Sequence, residues 1–176
     1  MFRAHSLSPR RPRPRRGRAW PSRSGQPLRT FPAILLGAFV VGCADILDAI
    51  IFFGLRGVRP IRIFQSIAAG LMGRAAFQGG LPAAVLGGCL HYTNAFLIVS
   101  AFVLASRQVP ALLRYPVITG ILYGQIVYVV MNYVVIPLSA TSRGAFSWPV
   151  VINGLLIHAF GVGIPSALAA RAAARS

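Results

Sequence analysis

The only two acidic residues of this 176-residue chain, Asp45 and Asp48, lie inside its first long apolar segment. A spacing of three residues places both side chains on one face of a helix, about one turn apart. A carboxylate in hydrocarbon costs about 2.5–3.5 kcal/mol on insertion scales, and it usually faces a helix bundle or an aqueous path. Because two ionised carboxylates repel each other at this spacing, we expect them to share a proton or to pair with a cation or a histidinium.

The other apolar segments carry polar residues at a similar depth. Counted from one membrane face, Asp45, His91, Asn132 and His158 each lie roughly 12–17 Å deep at 1.5 Å per residue. Carboxylates and imidazoles inside a membrane are typical of proton and cation paths. We therefore predict a polar intramembrane layer, a site for protons, cations or a substrate, formed by Asp45, Asp48, His91, Asn94, Asn132 and His158. A second set of polar residues is expected around it: Gln125, Tyr128 and Asn153.

A metal ion is the alternative ligand for this layer. Carboxylate oxygens combined with imidazole nitrogens suit Zn, Mn or Fe, and the candidate ligands are Asp45, Asp48, His91 and His158. Haem held by paired histidines is a weaker alternative. The sequence has no dense ligand motif such as His-Glu-x-x-His, no phosphate-binding loop and no nucleophile elbow. We therefore predict no cofactor and no catalytic residues, and an intramembrane metal-dependent enzyme is our third functional hypothesis.

Polar residues within a membrane can also serve packing alone. Hydrogen bonds between membrane helices contribute about 0.6 kcal/mol on average and help to fix the helix register. We favour this structural interpretation for the amide side chains, whereas the two aspartates favour function because any cation chemistry needs them. The leading hypothesis is a small proton- or cation-linked transporter, or a subunit of one. The alternative is a structural or assembly protein whose polar layer only fixes helix packing.

The composition is that of a membrane protein. The chain is 56% hydrophobic, with a mean hydropathy of +0.68, and only 11% of its residues are charged, against about 25% in soluble domains. Its apolar residues form four runs, each near the roughly 20 residues that cross a bilayer as a helix. We predict an all-α protein with transmembrane helices at about 32–55, 82–105, 115–138 and 147–169, within a domain of residues 31–171.

The connections between these runs are short, which predicts an up-down antiparallel four-helix bundle. The longest connection contains an amphipathic stretch at about 60–73, and we expect it to lie in the membrane interface; a re-entrant hairpin is the alternative. Arg62 and Gln65 lie off its apolar stripe, which consists of Ile63, Phe64, Ile67, Leu71 and Met72. Glycines four residues before His91 and His158 could admit a close approach of another helix.

Arginine carries all of the positive charge, and the net charge is +16. Its clustering beside the apolar runs argues against a nucleic-acid partner and for contact with anionic lipid headgroups, chiefly through Arg56, Arg59, Arg62 and Arg74. With both termini in the cytoplasm, 13 arginines lie inside and 5 outside, as the positive-inside rule requires. A homo-oligomer or another membrane protein is a further expected partner.

Residues 1–30 are rich in Arg, Pro, Ser and Gly, and we expect a disordered tail because they cannot bury apolar surface. A start codon assigned too far upstream is the alternative explanation of this segment. Cys43 and Cys89 both fall within apolar runs, and we expect free thiols that pack as small apolar groups. A disulfide or a shared metal ion is the alternative for the two cysteines.

Four segments together resemble a family of small bacterial inner-membrane proteins that has no assigned activity. The segments are Asp45-Ile-Leu-Asp48, Arg59 to Gly70, Met131 to Leu138 and Ile157 to Pro165. The resemblance covers residues 33–170, leaves out the arginine-rich tail, and implies four spans and a location in the bacterial inner membrane. It implies no reaction, substrate or cofactor.

Overall fold

The computed structural model describes residues 27–141 and 144–175, and this part of the chain is mostly helical and has no strand. Residues 1–26 of the predicted tail lie outside the described residues. The first three helices are α1 (Pro27–Gly54), α2 (Pro60–Met72) and α3 (Gly80–Gln108). A short 3-10 segment (Gly73–Gln78) joins α2 to α3, and another (Pro110–Leu113) follows α3.

The last two long helices are each interrupted by a π-helical segment. Span three consists of α4 (Pro116–Val130), a π segment (Met131–Val135) and α5 (Ile136–Leu138). Span four consists of α6 (Trp148–Ile157), a π segment (His158–Gly163) and α7 (Ile164–Arg175). The prediction of four helices long and apolar enough to cross a membrane is confirmed, with bounds Thr30–Gly54, Gly80–Gln108, Pro116–Leu138 and Trp148–Ala174.

Both π segments have an identifiable cause in the sequence. Each is followed at once by an Ile-Pro dipeptide, ending in Pro137 or Pro165. A proline within a helix lacks an N–H and its ring crowds the carbonyl of residue i−4, so the preceding turn widens. The widened turns are closed by bonds to residue i−5, from the N–H of Ile136 to the carbonyl of Met131 and from the N–H of Ile164 to the carbonyl of Ala159.

The main apolar core lies at the end of the bundle where Arg107 donates a hydrogen bond to Thr30 Oγ1, at 2.9 Å. We call this end the apolar half. It is built almost entirely from alanine and valine side chains, with Phe102 as the one large ring among its fully buried members. Small side chains let α1, α3 and α7 approach each other closely, which is how membrane helices gain contact area without a hydrophobic driving force. The buried members are Ala38, Val41, Ala95, Val99, Phe102, Val103, Val127, Val162, Ala167, Ala169 and Ala170.

Spans three and four touch through their backbones. A Cβ on Gly124 would overlap the carbonyl oxygen of His158, and a Cβ on Gly163 would overlap that of Gly120. Gly120 and Gly124 form a Gly-x-x-x-Gly pair, which allows close helix crossings in membranes. This contact therefore fixes the position of the His158 backbone relative to span three.

Helix α2 packs against α3, where Gly87 leaves room for the carbonyl of Phe64. Its buried face differs from the predicted apolar stripe, because Leu71 and Met72 are exposed. Gln65, expected off the stripe, is only 4% exposed and donates to the carbonyl of Gly80 at 3.0 Å. The reason is the close approach at Gly87, which favours small side chains in the contact and leaves the large ones outside. The buried residues of α2 are Ile63, Gln65, Ala68 and Ala69.

Candidate functional site

The first aspartate, Asp45 on α1, faces His91 on α3. The distance from Asp45 Oδ2 to His91 Nδ1 is 3.9 Å, and the two side chains are 31% and 10% exposed, respectively. The other ring nitrogen, Nε2, lies 2.8 Å from the carbonyl oxygen of Gly42. Because a carbonyl only accepts hydrogen bonds, Nε2 carries a proton. A neutral His91 therefore presents an unprotonated Nδ1 to the carboxyl group.

Small residues on α1 make this contact available. A Cβ on Gly42 would lie 2.6 Å from the Tyr92 ring, so glycine at this position lets α3 approach. Next to it, the Tyr92 hydroxyl and Cys43 Sγ lie 3.2 Å apart in a second contact between the two spans. These neighbours hold His91 at a fixed height beside the Gly42 carbonyl. The tautomer of His91 is thus set by the backbone of another helix.

The second aspartate, Asp48, is bound by span four. Asn153 Nδ2 on α6 donates a hydrogen bond to Asp48 Oδ2 at 2.6 Å. This contact places Asp48 within hydrogen-bonding reach of an asparagine on another span. The two aspartates therefore have different partners, an imidazole for Asp45 and a hydrogen-bond donor for Asp48.

His158 opens the π segment of span four. Its Nδ1 donates to the carbonyl of Gly154 at 2.9 Å, and its ring lies edge-to-face with that of Tyr128, with 5.5 Å between centroids. As in His91, one ring nitrogen is committed to a backbone carbonyl. Asp45 interacts electrostatically with His158 as well as with His91 and Asp48. Asp45 therefore lies near three other predicted members of the layer.

Other predicted members of the layer make different contacts. Asn132 donates to the carbonyl of Tyr128 on its own span at 2.9 Å. Gln125 donates to the carbonyl of Leu155 at 3.0 Å and so links spans three and four. Asn94 is half-buried, and within the described ranges it has no hydrogen bond to either aspartate. We call the region of Asp45, Asp48 and their partners the polar half of the bundle.

The donor atoms needed for a metal ion are largely committed to other bonds. His91 Nε2 and His158 Nδ1 bind carbonyls, and Asp48 Oδ2 accepts from Asn153. Across residues 27–141 and 144–175, no three His, Cys, Asp or Glu side chains gather as a ligand set. Cys43 and Cys89 are free thiols, as expected.

No protein-family model, curated protein or solved structure matches this chain. The resemblance to small bacterial inner-membrane proteins therefore stays a prediction.

An open groove of about 360 Å³ lies beside the Asp48–Asn153 bond. It is lined by Phe52, Trp148, Pro149, Ile152, Asn153 and Leu156, so its walls are apolar apart from one amide. The guanidinium of Arg56 stacks on the Phe52 ring, 3.6 Å from its centroid, and donates to the Phe52 carbonyl at 2.7 Å.

The remaining arginines that were expected to meet headgroups are also exposed. Arg59 and Arg74 lie on the surface, and Arg62 donates to the carbonyl of Phe77 at 3.0 Å while remaining exposed. All of them belong to the segment that follows α1 and leads to α3. These positions suit contact with anionic groups.

Two features of the site were missed by the sequence reasoning. The π segments were not expected, although the Ile-Pro dipeptides at Pro137 and Pro165 could have signalled them. The carbonyl of Gly42 as a partner of His91 was also missed. One signal was available, since the same Gly-Cys dipeptide occurs at Gly42 in α1 and at Gly88 in α3.

Proposed function

We propose that this chain is a small proton- or cation-linked membrane transporter, or a subunit of one, that works through its polar half. The observation that carries the proposal is the contact between Asp45 and His91, two ionisable side chains on different spans. One nitrogen of His91 is already committed to Gly42, so the other is available to the carboxyl. Such a couple can hold one proton on either partner, as a neutral acid beside a neutral imidazole or as a carboxylate beside an imidazolium, so that neither state leaves an unpaired charge in hydrocarbon.

The accessibility of Asp45 supports a working site rather than a sealed one. At 31% its side chain is more exposed than that of His91, at 10%, as an exchanging carboxyl group requires. The π segment that begins at His158 lies in the same region, and π segments are frequent at functional sites because their backbone hydrogen bonds are weaker and can rearrange.

Ion flux into proteoliposomes tests this proposal. Purified protein in vesicles with an internal pH dye should dissipate an imposed proton or cation gradient, and the double variant Asp45→Asn/Asp48→Asn should not. Leu47→Val is the matched control, because Leu47 lies on the same helix and is 55% exposed. This variant should behave as wild type. Equal flux in empty, wild-type and double-variant vesicles would reject the proposal.

A structural or assembly role is the second candidate, and the hydrogen bonds between spans favour it. Asn153 binds Asp48, and Gln125 binds the carbonyl of Leu155. Both bonds fix the position of span four, which is what a packing role for polar residues requires. Vesicles without flux, together with loss of a protein complex when Asn153 is changed to Ala, would select this candidate.

We further propose an up-down antiparallel bundle in the bacterial inner membrane, with both termini in the cytoplasm and α2 in the opposite interface. Supporting contacts are Thr30 with Arg107 at one end of α1 and Gly42 with His91 further along it. With 29 residues, α3 is about 43 Å long at 1.5 Å per residue, which exceeds the roughly 30 Å hydrocarbon core. Its first turns can therefore lie in the headgroup region beside α2.

Reporter fusions test this topology. A fusion after Gly79 should report the non-cytoplasmic side and one after residue 175 the cytoplasmic side, because 13 arginines would then lie inside and 5 outside. A cytoplasmic signal from Gly79 would reject the orientation. Binding to vesicles with anionic lipid should weaken when Arg56 and Arg59 are both changed to Gln.

A further inference from the structure

We infer that the ion handled by the polar half is the proton, that it is exchanged between Asp45 and His91, and that Asp48 is instead the anchor that ties span one to span four. This inference rests on the proposed function, which leaves the ion open, and it divides two aspartates that the sequence treats as equivalent. It concerns only residues whose contacts have been described.

The first argument is the chemistry that surrounds Asp45. The titratable groups that face it are His91 from α3, His158 from span four and Asp48 from its own helix. Imidazole nitrogens exchange protons near neutral pH. Each histidine has one N–H fixed on a backbone carbonyl, so each has one nitrogen left to accept a proton.

A metal cation finds too few ligands here. Hard cations take six or more oxygen ligands, whereas two of the three titratable groups near Asp45 are imidazoles. Metal ions that accept imidazole find no group of three His, Cys, Asp or Glu side chains within the described residues. At Asp48 the nearest partner is an N–H of Asn153, 2.6 Å away, and a donor hydrogen repels a cation. A proton needs only one oxygen and one nitrogen, which is what Asp45 and His91 supply.

The exchange itself conserves charge on the couple. The O–H bond of the Asp45 carboxyl breaks and an N–H bond forms at His91 Nδ1, which converts a neutral acid and a neutral imidazole into a carboxylate and an imidazolium. The proton on Nε2 stays bonded to that nitrogen throughout and keeps its hydrogen bond to the Gly42 carbonyl. The 3.9 Å between Oδ2 and Nδ1 must shorten to hydrogen-bond length, and rotation of the partly exposed Asp45 side chain can close it.

The role of Asp48 follows from its partner. Its Oδ2 accepts the hydrogen bond from Asn153 on α6, and this contact joins two spans that are far apart in sequence. An asparagine at position 48 keeps an acceptor oxygen for this bond, whereas an alanine does not. Asp48→Asn should therefore preserve the anchor, and a proton carrier could not tolerate that change.

Infrared spectroscopy of the purified protein in nanodiscs can test the assignment without any transport measurement. The C=O stretch of a protonated carboxyl is followed while the pH is raised, in the wild type and in Asp45→Asn and Asp48→Asn. Asp45→Asn should abolish the titrating band, and Asp48→Asn should retain it. His91→Gln, which can still donate to Gly42, should raise its midpoint by about 1–3 pH units, because the carboxylate then lacks the imidazolium that faces it once His91 has taken up the proton.

The alternative outcomes overturn the inference directly. A band that survives in Asp45→Asn and disappears in Asp48→Asn would assign the proton to Asp48. A band that disappears only in the double variant would mean that the pair shares it. If Asp48→Asn does not fold, Asn153→Ala breaks the same anchor while keeping both carboxyls, and it should retain the band.

Flux measurements then separate this inference from the proposed function. In proteoliposomes, Asp48→Asn should keep most of the proton flux and Asp45→Asn should lose at least about tenfold, which corresponds to about 1.4 kcal/mol. If the wild type shows no flux while the titrating band belongs to Asp45, the proposed function fails and the assignment of the proton stands. If sodium or potassium gradients drive flux equally well in Asp45→Asn, the inference fails and transport stands.

Discussion

The apolar half and the polar half of the bundle are built on opposite principles. In the apolar half, α1, α3 and α7 meet through small side chains, and Phe102 is only 2% exposed. Its buried serines donate hydrogen bonds within their own helices. Ser106 donates to the carbonyl of Val103, and Ser166 donates to that of Val162. In the polar half, the side chains around the aspartates bind across spans, as Asn153 does to Asp48 and His91 to Gly42. Among the described residues, the apolar half has such bonds only beside its packed core, from Arg107 to Thr30 and from Tyr123 to the carbonyl of Ile98.

This difference indicates a division of labour between the two halves. Dense packing resists any change of shape, since protein interiors tolerate few voids. The polar half borders an open groove of about 360 Å³, which leaves it more room to rearrange. Stability should therefore depend mostly on the apolar half, and ion chemistry on the polar half. The predictions below test whether the two properties can be separated.

The largest effect is expected in the apolar half. Phe102→Ala should lower the free energy of unfolding by about 3 kcal/mol, because the lost ring leaves a cavity among buried neighbours. Unfolding in mixed micelles with increasing denaturing detergent measures this change. Leu104→Ala, which changes a residue of the same helix that is 58% exposed, is the control and should cost less than 1 kcal/mol, roughly. Equal losses in both variants would mean that the apolar half is not the main source of stability.

An intermediate effect is expected at the anchor. Asp48→Ala should be less stable than Asp48→Asn by about 1 kcal/mol, because alanine leaves the Asn153 N–H without its acceptor. The same unfolding assay compares the two variants. A double-mutant cycle with Asn153→Ala should give a coupling free energy close to that difference. No coupling would show that the hydrogen bond is dispensable.

The smallest effect on stability is expected at the site of the proton. Asp45→Asn should change the unfolding free energy by less than about 0.5 kcal/mol, because an amide closely matches a protonated acid in shape and no tight hydrogen bond is lost. Its effect should appear only in the titration and the flux. A loss as large as that of Phe102→Ala would contradict the separation of the two halves.

Much of the framework follows from the sequence because it depends on periodicity and length. Four apolar runs give four long helices. Counting residues from one face predicts that Asp45 and His91 lie at a similar depth, and the structure places their side chains 3.9 Å apart. These features depend on spacing along single helices, which a sequence displays directly.

Other features depend on which faces of two helices meet, and a single sequence does not display that. Gln65 is polar and was expected away from the apolar stripe, yet it is buried because the carbonyl of Gly80 lies beside it. The different partners of Asp45 and Asp48 likewise arise from the rotation of α3 and α6 about their axes. The spacing of three residues alone could not show that the two aspartates have different roles.

The π segment at Met131–Val135 also bears on how the length of this chain can change. A π turn holds one residue more than an α turn, so it is equivalent to a single insertion that the helix has absorbed locally. Deleting one residue there should remove the extra residue of the turn and leave both flanks facing their present neighbours. The same deletion inside α4 would rotate everything beyond it by about 100°. Span three should therefore tolerate a one-residue deletion within Met131–Val135 far better than a one-residue deletion within α4, a turn or more earlier.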